Sequence, residues 1–151
     1  MVRTSYRSLL AVILAMVTAL LVSCSSPTAT KPPTYTPEKI AQIQKFAPTV
    51  NDLREKMAIL ETDIQNRDWT DVGSFIHGPL GELRQKMSYI TRELLPKDQK
   101  SASAAAKDLF SRLETIDSAS STGNYQTAID NYQAALKDFD AFLQLIPSQS
   151  E

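Results

Sequence analysis

The apolar residues between positions 40 and 146 recur at steps of three or four, and this spacing is the strongest constraint on the fold. The first run is Ile40, Ile43, Ala47, Val50, Leu53, Met57, Leu60 and Ile64. Such steps place every member on one face of an α-helix, whereas a half-buried strand alternates at steps of two. No segment alternates in this way, and Val, Ile and Thr do not cluster as they do in strands. The sequence therefore predicts an all-α protein.

The first of four such segments has a clear start and an interruption. Thr36 suits an N-cap, because its hydroxyl can accept a bond from a free backbone N–H, and Pro37 suits the first helical position, where no donor is needed. Pro48 falls inside the apolar stripe, where a proline removes a backbone hydrogen bond and clashes with the preceding turn. We expect either a kink or a short separate helix before a main helix that begins near Pro48.

The second segment carries a proline in its middle. Its stripe is Trp69, Val72, Ile76, Leu80, Leu83, Met87, Ile90 and Leu94. Asp68 is placed to cap its start, and Pro96 stops it. Gly78 and Pro79 lie inside the stripe, so we expect a kink near His77 and Gly78.

Two further segments complete the fold. The third runs from about Asp98 to residues 118–123, and the fourth follows Asn124 as its N-cap and ends before Pro147. The stripe of the fourth is Tyr125, Ile129, Tyr132, Leu136, Phe139, Leu143 and Ile146. We expect its two tyrosines, like Trp69, at the edge of the core. Helices joined by short turns pack as antiparallel neighbours, which predicts an up-down-up-down four-helix bundle over residues 37–151.

Residues 1–23 have the pattern of an export signal. Arg3 and Arg7 precede an uncharged apolar run over residues 9–22, which is too short for a typical membrane span. The sequence Leu-Val-Ser-Cys at 21–24 resembles the lipobox of bacterial lipoproteins, which implies cleavage before Cys24, a diacylglycerol on its sulfur and an acyl chain on its amino group. The alternative is an uncleaved N-terminal anchor.

The segment from Cys24 to Thr36 is rich in Ser, Thr and Pro and has little to bury. We expect a disordered, extended tether, which at about 3 Å per residue lets the domain stand about 35 Å from the membrane.

Charge and composition exclude several classes of function. Arg3 and Arg7 would be lost with the signal, and the remaining chain has three more acidic than basic residues. This balance predicts no nucleic-acid partner and no polybasic patch for anionic lipid. A single cysteine also forms no internal disulfide.

Catalytic and metal-binding patterns are weak. His77 is the one histidine and Cys24 is assigned to lipid, so neither a Cys/His nucleophile nor a multi-histidine metal site can be assembled. The sequence therefore predicts no enzyme. His77 beside acids such as Asp71 or Glu82 would hold zinc weakly at most; the alternative is a surface or capping histidine.

The whole mature chain resembles one known family. Beside the lipobox and the tether, Trp69 begins the second helix and the decapeptide FIHGPLGELR at 75–84 bends it. These features are similar to those of the cyanobacterial PsbQ family, the Q-like extrinsic lipoprotein of photosystem II. The resemblance implies a lumenal, lipid-anchored thylakoid protein near CP47 and the manganese-stabilising extrinsic subunit. It also implies that the protein stabilises the oxygen-evolving complex and its calcium and chloride without catalysing oxidation. The competing class is a lipid-anchored helical scaffold or assembly factor for another membrane complex.

We further expect the bend to form part of a partner-binding surface through His77, Gly78, Pro79 and Arg84. A bend frees a backbone carbonyl near His77, and the planar fork of Arg84 suits a carboxylate. The alternative is that the bend only fits the helix to the bundle.

Overall fold

A computed structural model describes residues 33–148, and this part of the chain is helical without any β-strand. The elements are α1 (Pro37–Gln44), α2 (Ala47–Asn66), α3 (Trp69–His77), a 3₁₀ helix (Pro79–Glu82), α4 (Leu83–Glu93), α5 (Pro96–Ser121) and α6 (Tyr125–Leu143). The all-α prediction is confirmed. The predicted signal peptide at 1–23, Cys24 and the tether up to residue 32 lie outside the described residues.

The four long elements form a ring of packed neighbours. If α3, the 3₁₀ helix and α4 are taken as one broken helix, this helix contacts α2 and α5, and α6 contacts α5 and α2. Short turns join consecutive members, so neighbours run antiparallel. The predicted four-helix bundle is confirmed, with α1 packed against α4 and α2.

Pro48 and Pro96 act at helix starts. Pro48 lies in the first turn of α2, which begins at Ala47, so the short separate helix is the correct alternative. The third long helix of the bundle, α5, begins at Pro96 rather than near Asp98, because a proline at the first helical position needs no donor. Thr36 caps α1 as predicted, accepting a bond from the Lys39 N–H at 3.3 Å.

The turn between α2 and α3 differs from the prediction. Asp68 stands at the N-cap of α3, but its side chain makes no capping bond. Its backbone N–H instead donates to the Asp63 carbonyl at 2.9 Å, and Arg67 adopts a left-handed conformation with φ 60°. This geometry satisfies the last carbonyls of α2. Asn124, by contrast, caps α6 as predicted through the Thr127 N–H at 3.1 Å.

The buried face of α6 is rotated from the predicted one. Its buried residues are Ala128, Tyr132, Ala135, Phe139 and Phe142. Ile129, Leu136 and Leu143 are only partly buried. Ala128 and Ala135 form the centre of the stripe, because small side chains let a neighbouring helix approach closely. The prediction that Tyr132 lies at the core edge is wrong, since it is 2% exposed.

Tyr132 also links α6 to α2. Its hydroxyl donates to Glu61 Oε2 at 3.3 Å, and nearby Arg54 binds both carboxylate oxygens of Asp140 at 2.7 and 2.9 Å. Burial, followed by the charge of Glu61, raises the pKa of the Tyr132 hydroxyl from 10.0 to about 12. The folded state thus retains this proton at pH values where the unfolded chain loses it.

This difference predicts an alkaline loss of stability. The contribution of Tyr132 is fully present below pH 10 and is lost as the pH rises towards 12, at a cost of about 1–2 kcal/mol. Urea unfolding of the wild type and of Tyr132→Phe should therefore give a stability difference that moves against the wild type between pH 9 and pH 12. The four other tyrosines are present in both proteins, so their contributions to the difference cancel. A difference that stays constant with pH would contradict the raised pKa.

Candidate partner-binding site

The second helix of the bundle breaks at Gly78 and Pro79, as predicted. The Gly78 N–H donates to the Ser74 carbonyl at 2.8 Å and ends α3, and the Gly81 N–H donates to the Gly78 carbonyl at 2.9 Å in the 3₁₀ turn. That bond takes the amide that would bind the His77 carbonyl in a continuous helix. Pro79 has no N–H to offer. This hydrogen-bond pattern agrees with the prediction that the bend frees a backbone carbonyl near His77.

Gly78 is required by close backbone approach. A Cβ atom built on it would lie 2.7 Å from the Ser74 carbonyl oxygen, below any ordinary contact distance. A Cβ on Gly81 would meet no atom within 4 Å. The two glycines of the decapeptide thus differ, and only Gly78 is demanded by the bend.

His77 projects from the end of α3 towards α5. Its Nε2 lies 3.2 Å from Asp117 Oδ2, and its side chain is 71% exposed. The expected neighbours Asp71 and Glu82 are not its partners, because the bundle brings α5 against this face. His77 and Asp117 supply two candidate metal ligands, and residues 33–148 contain no group of three or more. Weak zinc binding stays a prediction.

Arg84 lies on the polar side of α4, as expected, with its side chain 63% exposed. Its guanidinium lies 4.1 Å from the centre of the Phe110 ring, and its NH2 nitrogen lies 3.1 Å from Glu114 Oε1. The carboxylate that binds the Arg84 guanidinium in this structure is thus that of Glu114, which belongs to the same chain. The exposed pair is worth about 0–1 kcal/mol, so a partner can compete for Arg84 at little cost.

Of the four predicted partner-binding residues, two line the same groove, one lines a different groove and one lines neither. His77 and Arg84 line one groove of about 270 Å³ between the broken helix and α5. Its apolar wall includes Leu80 and Phe110. Pro79 instead lines a different groove of about 310 Å³ between α2 and α3. Gly78 lines neither groove and acts through the backbone.

Sequence reasoning missed the side of this groove that α5 supplies. Phe110, Glu114 and Asp117 come from α5 and lie 26 to 40 positions away from their partners in sequence. One signal was available, since Phe110 directly follows Leu109 in the apolar stripe and must lie at its edge. The two acids have no distinguishing pattern.

A helical bundle whose exposed groove carries the Arg84–Glu114 ion pair and the His77–Asp117 contact beside an aromatic ring is suited to binding another protein surface. Paired charges on half-exposed side chains can exchange partners, and the ring supplies apolar contact area. Among residues 33–148, no helix is both long enough and apolar enough to cross a bilayer.

Comparison with known proteins identifies the family. A model of PsbQ, described as oxygen evolving enhancer protein 3, matches residues 2–147. The chain is 47% identical over 145 residues to CyanoQ of Synechocystis sp., which covers 95% of this chain and 97% of CyanoQ. The chain belongs to the PsbQ family and is an extrinsic subunit of photosystem II. The resemblance seen in the sequence is confirmed.

The two glycines provide a matched test of the bend. Gly78→Ala should lower the free energy of unfolding by about 1–3 kcal/mol, because the new methyl group forces the backbone away from Ser74. Gly81→Ala should be neutral or stabilising by up to about 1 kcal/mol, because the methyl has space and the unfolded chain loses freedom. Chemical denaturation of both variants checks this, and equal effects would contradict the close approach at Gly78.

Proposed function

We propose that this protein docks on the lumenal face of photosystem II, stabilises the oxygen-evolving complex and helps it retain calcium and chloride. CP47 and the manganese-stabilising extrinsic subunit are its proposed contacts. The observation that carries the proposal is the family match over nearly the whole chain, including the bent helix. In this proposal the protein acts by binding and catalyses no reaction.

The bend supports a docking role for the groove at His77 and Arg84. Both side chains are more than half exposed, and each is held by one carboxylate of α5. A protein surface that presents its own charged groups can replace these exposed pairs, which contribute little to the fold. The alternative, that the bend only fits the bundle, predicts no effect of Arg84 on docking.

Attachment to the lumenal side of the thylakoid membrane is proposed to occur through lipid on Cys24. A diacylglycerol on the sulfur and an acyl chain on the amino group would hold firmly, whereas a single chain binds only marginally. The sequence of residues 1–24 is the basis of this proposal.

Affinity purification of photosystem II through a tag on CP47 tests the proposed docking on photosystem II and the proposed lipid on Cys24. The wild-type protein should co-purify, and its intact mass should correspond to a chain that begins at an acylated Cys24. Cys24→Ala should give no species with the mass of an acylated chain, because the cysteine that takes the lipid is absent. Absence of the wild type while other extrinsic subunits stay bound would favour a scaffold or assembly factor for another complex.

Charge reversal tests the docking surface. Arg84→Glu should weaken binding to photosystem II by about ten-fold or more, since a buried charge pair at an interface is costly to break. Its melting temperature should change little, because the pair with Glu114 is exposed. Lys56→Glu is the control, because Lys56 pairs within α2 with Asp52 and lines no groove described above. Equal binding by both variants would refute the docking role of Arg84.

A further inference from the structure

A second groove lies between α4 and α5 and adjoins the first. It has a volume of about 430 Å³ and shares Arg84 and Phe110 with its neighbour. Its other polar lining consists of Arg92, Lys107, Ser88, Thr91 and Ser103. This lining combines three cations with three hydroxyls and contains no carboxylate.

Two of the three cations in this groove have no ion-pair partner among the described residues, whereas Arg84 pairs with Glu114 at 3.1 Å. Within residues 33–148, Arg92 and Lys107 have no acidic side chain within 4.0 Å. Glu93, which follows Arg92 in the sequence, pairs with Lys39 instead.

The two arginines are oriented by aromatic rings. The Arg84 guanidinium lies 4.1 Å from the centre of the Phe110 ring, and the Arg92 guanidinium lies 5.7 Å from that of Tyr89. Arg92 also donates to Ser88 Oγ at 3.3 Å. Stacking and this bond restrict both side chains before any ligand binds, which lowers the entropy cost of binding.

The spacing of the arginines fits an extended peptide. Arg84 and Arg92 are eight residues apart, a rise of about 12 Å along α4. In an extended chain, side chains at i and i+4 lie on the same side and about 13 Å apart. A single phosphate or lipid headgroup would reach one arginine, whereas two carboxylates at this spacing reach both.

We infer that the groove between α4 and α5 binds an extended acidic segment of a partner protein, with carboxylates four residues apart on Arg84 and Arg92. Each guanidinium can take a carboxylate through two parallel hydrogen bonds. Lys107 faces the middle of the segment from α5, and the hydroxyls bind its backbone. This inference names the partner chemistry and rests on the proposed docking function.

A labelled peptide tests the groove without the photosystem. The probe carries Glu at positions i and i+4 between Gly and Ser residues, and a second peptide carries Gln there. Fluorescence anisotropy with the mature-length Cys24→Ala protein in low salt should detect the Glu peptide, and Arg92→Gln/Lys107→Gln should weaken its binding by about ten-fold or more. Lys100→Gln/Lys137→Gln removes the same charge from exposed positions outside the groove and should change binding less than about two-fold. Equal losses in both double variants, or equal binding of the Glu and Gln peptides, would overturn the inference.

Two further measurements separate this inference from the proposed function. If wild-type protein binds photosystem II and Arg92→Gln/Lys107→Gln binds equally well, the groove assignment fails while the docking function stands. If the wild type does not bind at all, the proposed function itself fails. Binding to vesicles with anionic lipid that depends on Arg92 and Lys107, without binding of the Glu peptide, would assign the groove to a membrane and overturn the inference.

Discussion

An α-helix cannot run unbroken through Pro79, because proline offers no N–H to the carbonyl four residues earlier. The structure adapts with a 3₁₀ turn, and Gly78 makes this possible by passing within contact distance of the Ser74 carbonyl. The apolar stripe nevertheless continues, since Leu80 and Leu83 are both buried on the far side of the break. The core thus stays continuous while the polar face is interrupted. The first groove opens at this interruption, where the broken helix and α5 separate.

Charge is distributed unevenly over the bundle surface. The groove at His77 carries both signs, and the adjoining groove at Arg92 is basic. The groove between α2 and α3 is acidic, and burial together with the neighbouring carboxylates of Asp71 and Asp68 raises the pKa of Asp63 there. Distinct faces of this kind fix the orientation in which a bundle meets a partner. The first described residues contact the bundle where α4 meets α5, because the Tyr35 hydroxyl donates to Asp98 and accepts from the Leu95 N–H.

Much of the fold was predictable because it depends on local chemistry. Helical periodicity located the four long segments, and the prolines located their ends, since a missing N–H acts within one turn. The predictions were wrong where contacts between neighbouring helices determine the local structure. Asp68 has the right residue type for a cap, yet its backbone completes the end of α2 instead. The α6 stripe was centred on large side chains, although packing centres it on Ala128 and Ala135. Half of the candidate site was predictable in the same way, namely the exposure of His77 and Arg84 beside a bend.

By itself, the sequence determined an all-α chain, the break at Gly78 and Pro79, an interruption of the first segment at Pro48 and the resemblance to the PsbQ family. Each of these depends on residues that are close together along the chain or on a contiguous motif. Only the tertiary structure decided that Asp117 and Glu114 face His77 and Arg84, that Pro79 points into a different groove, and that Arg92 and Lys107 line one basic surface. The physical reason is that these pairs join α5 to the broken helix. Their contacts are set by the rotation of each helix within the bundle, which the period of one helix does not specify.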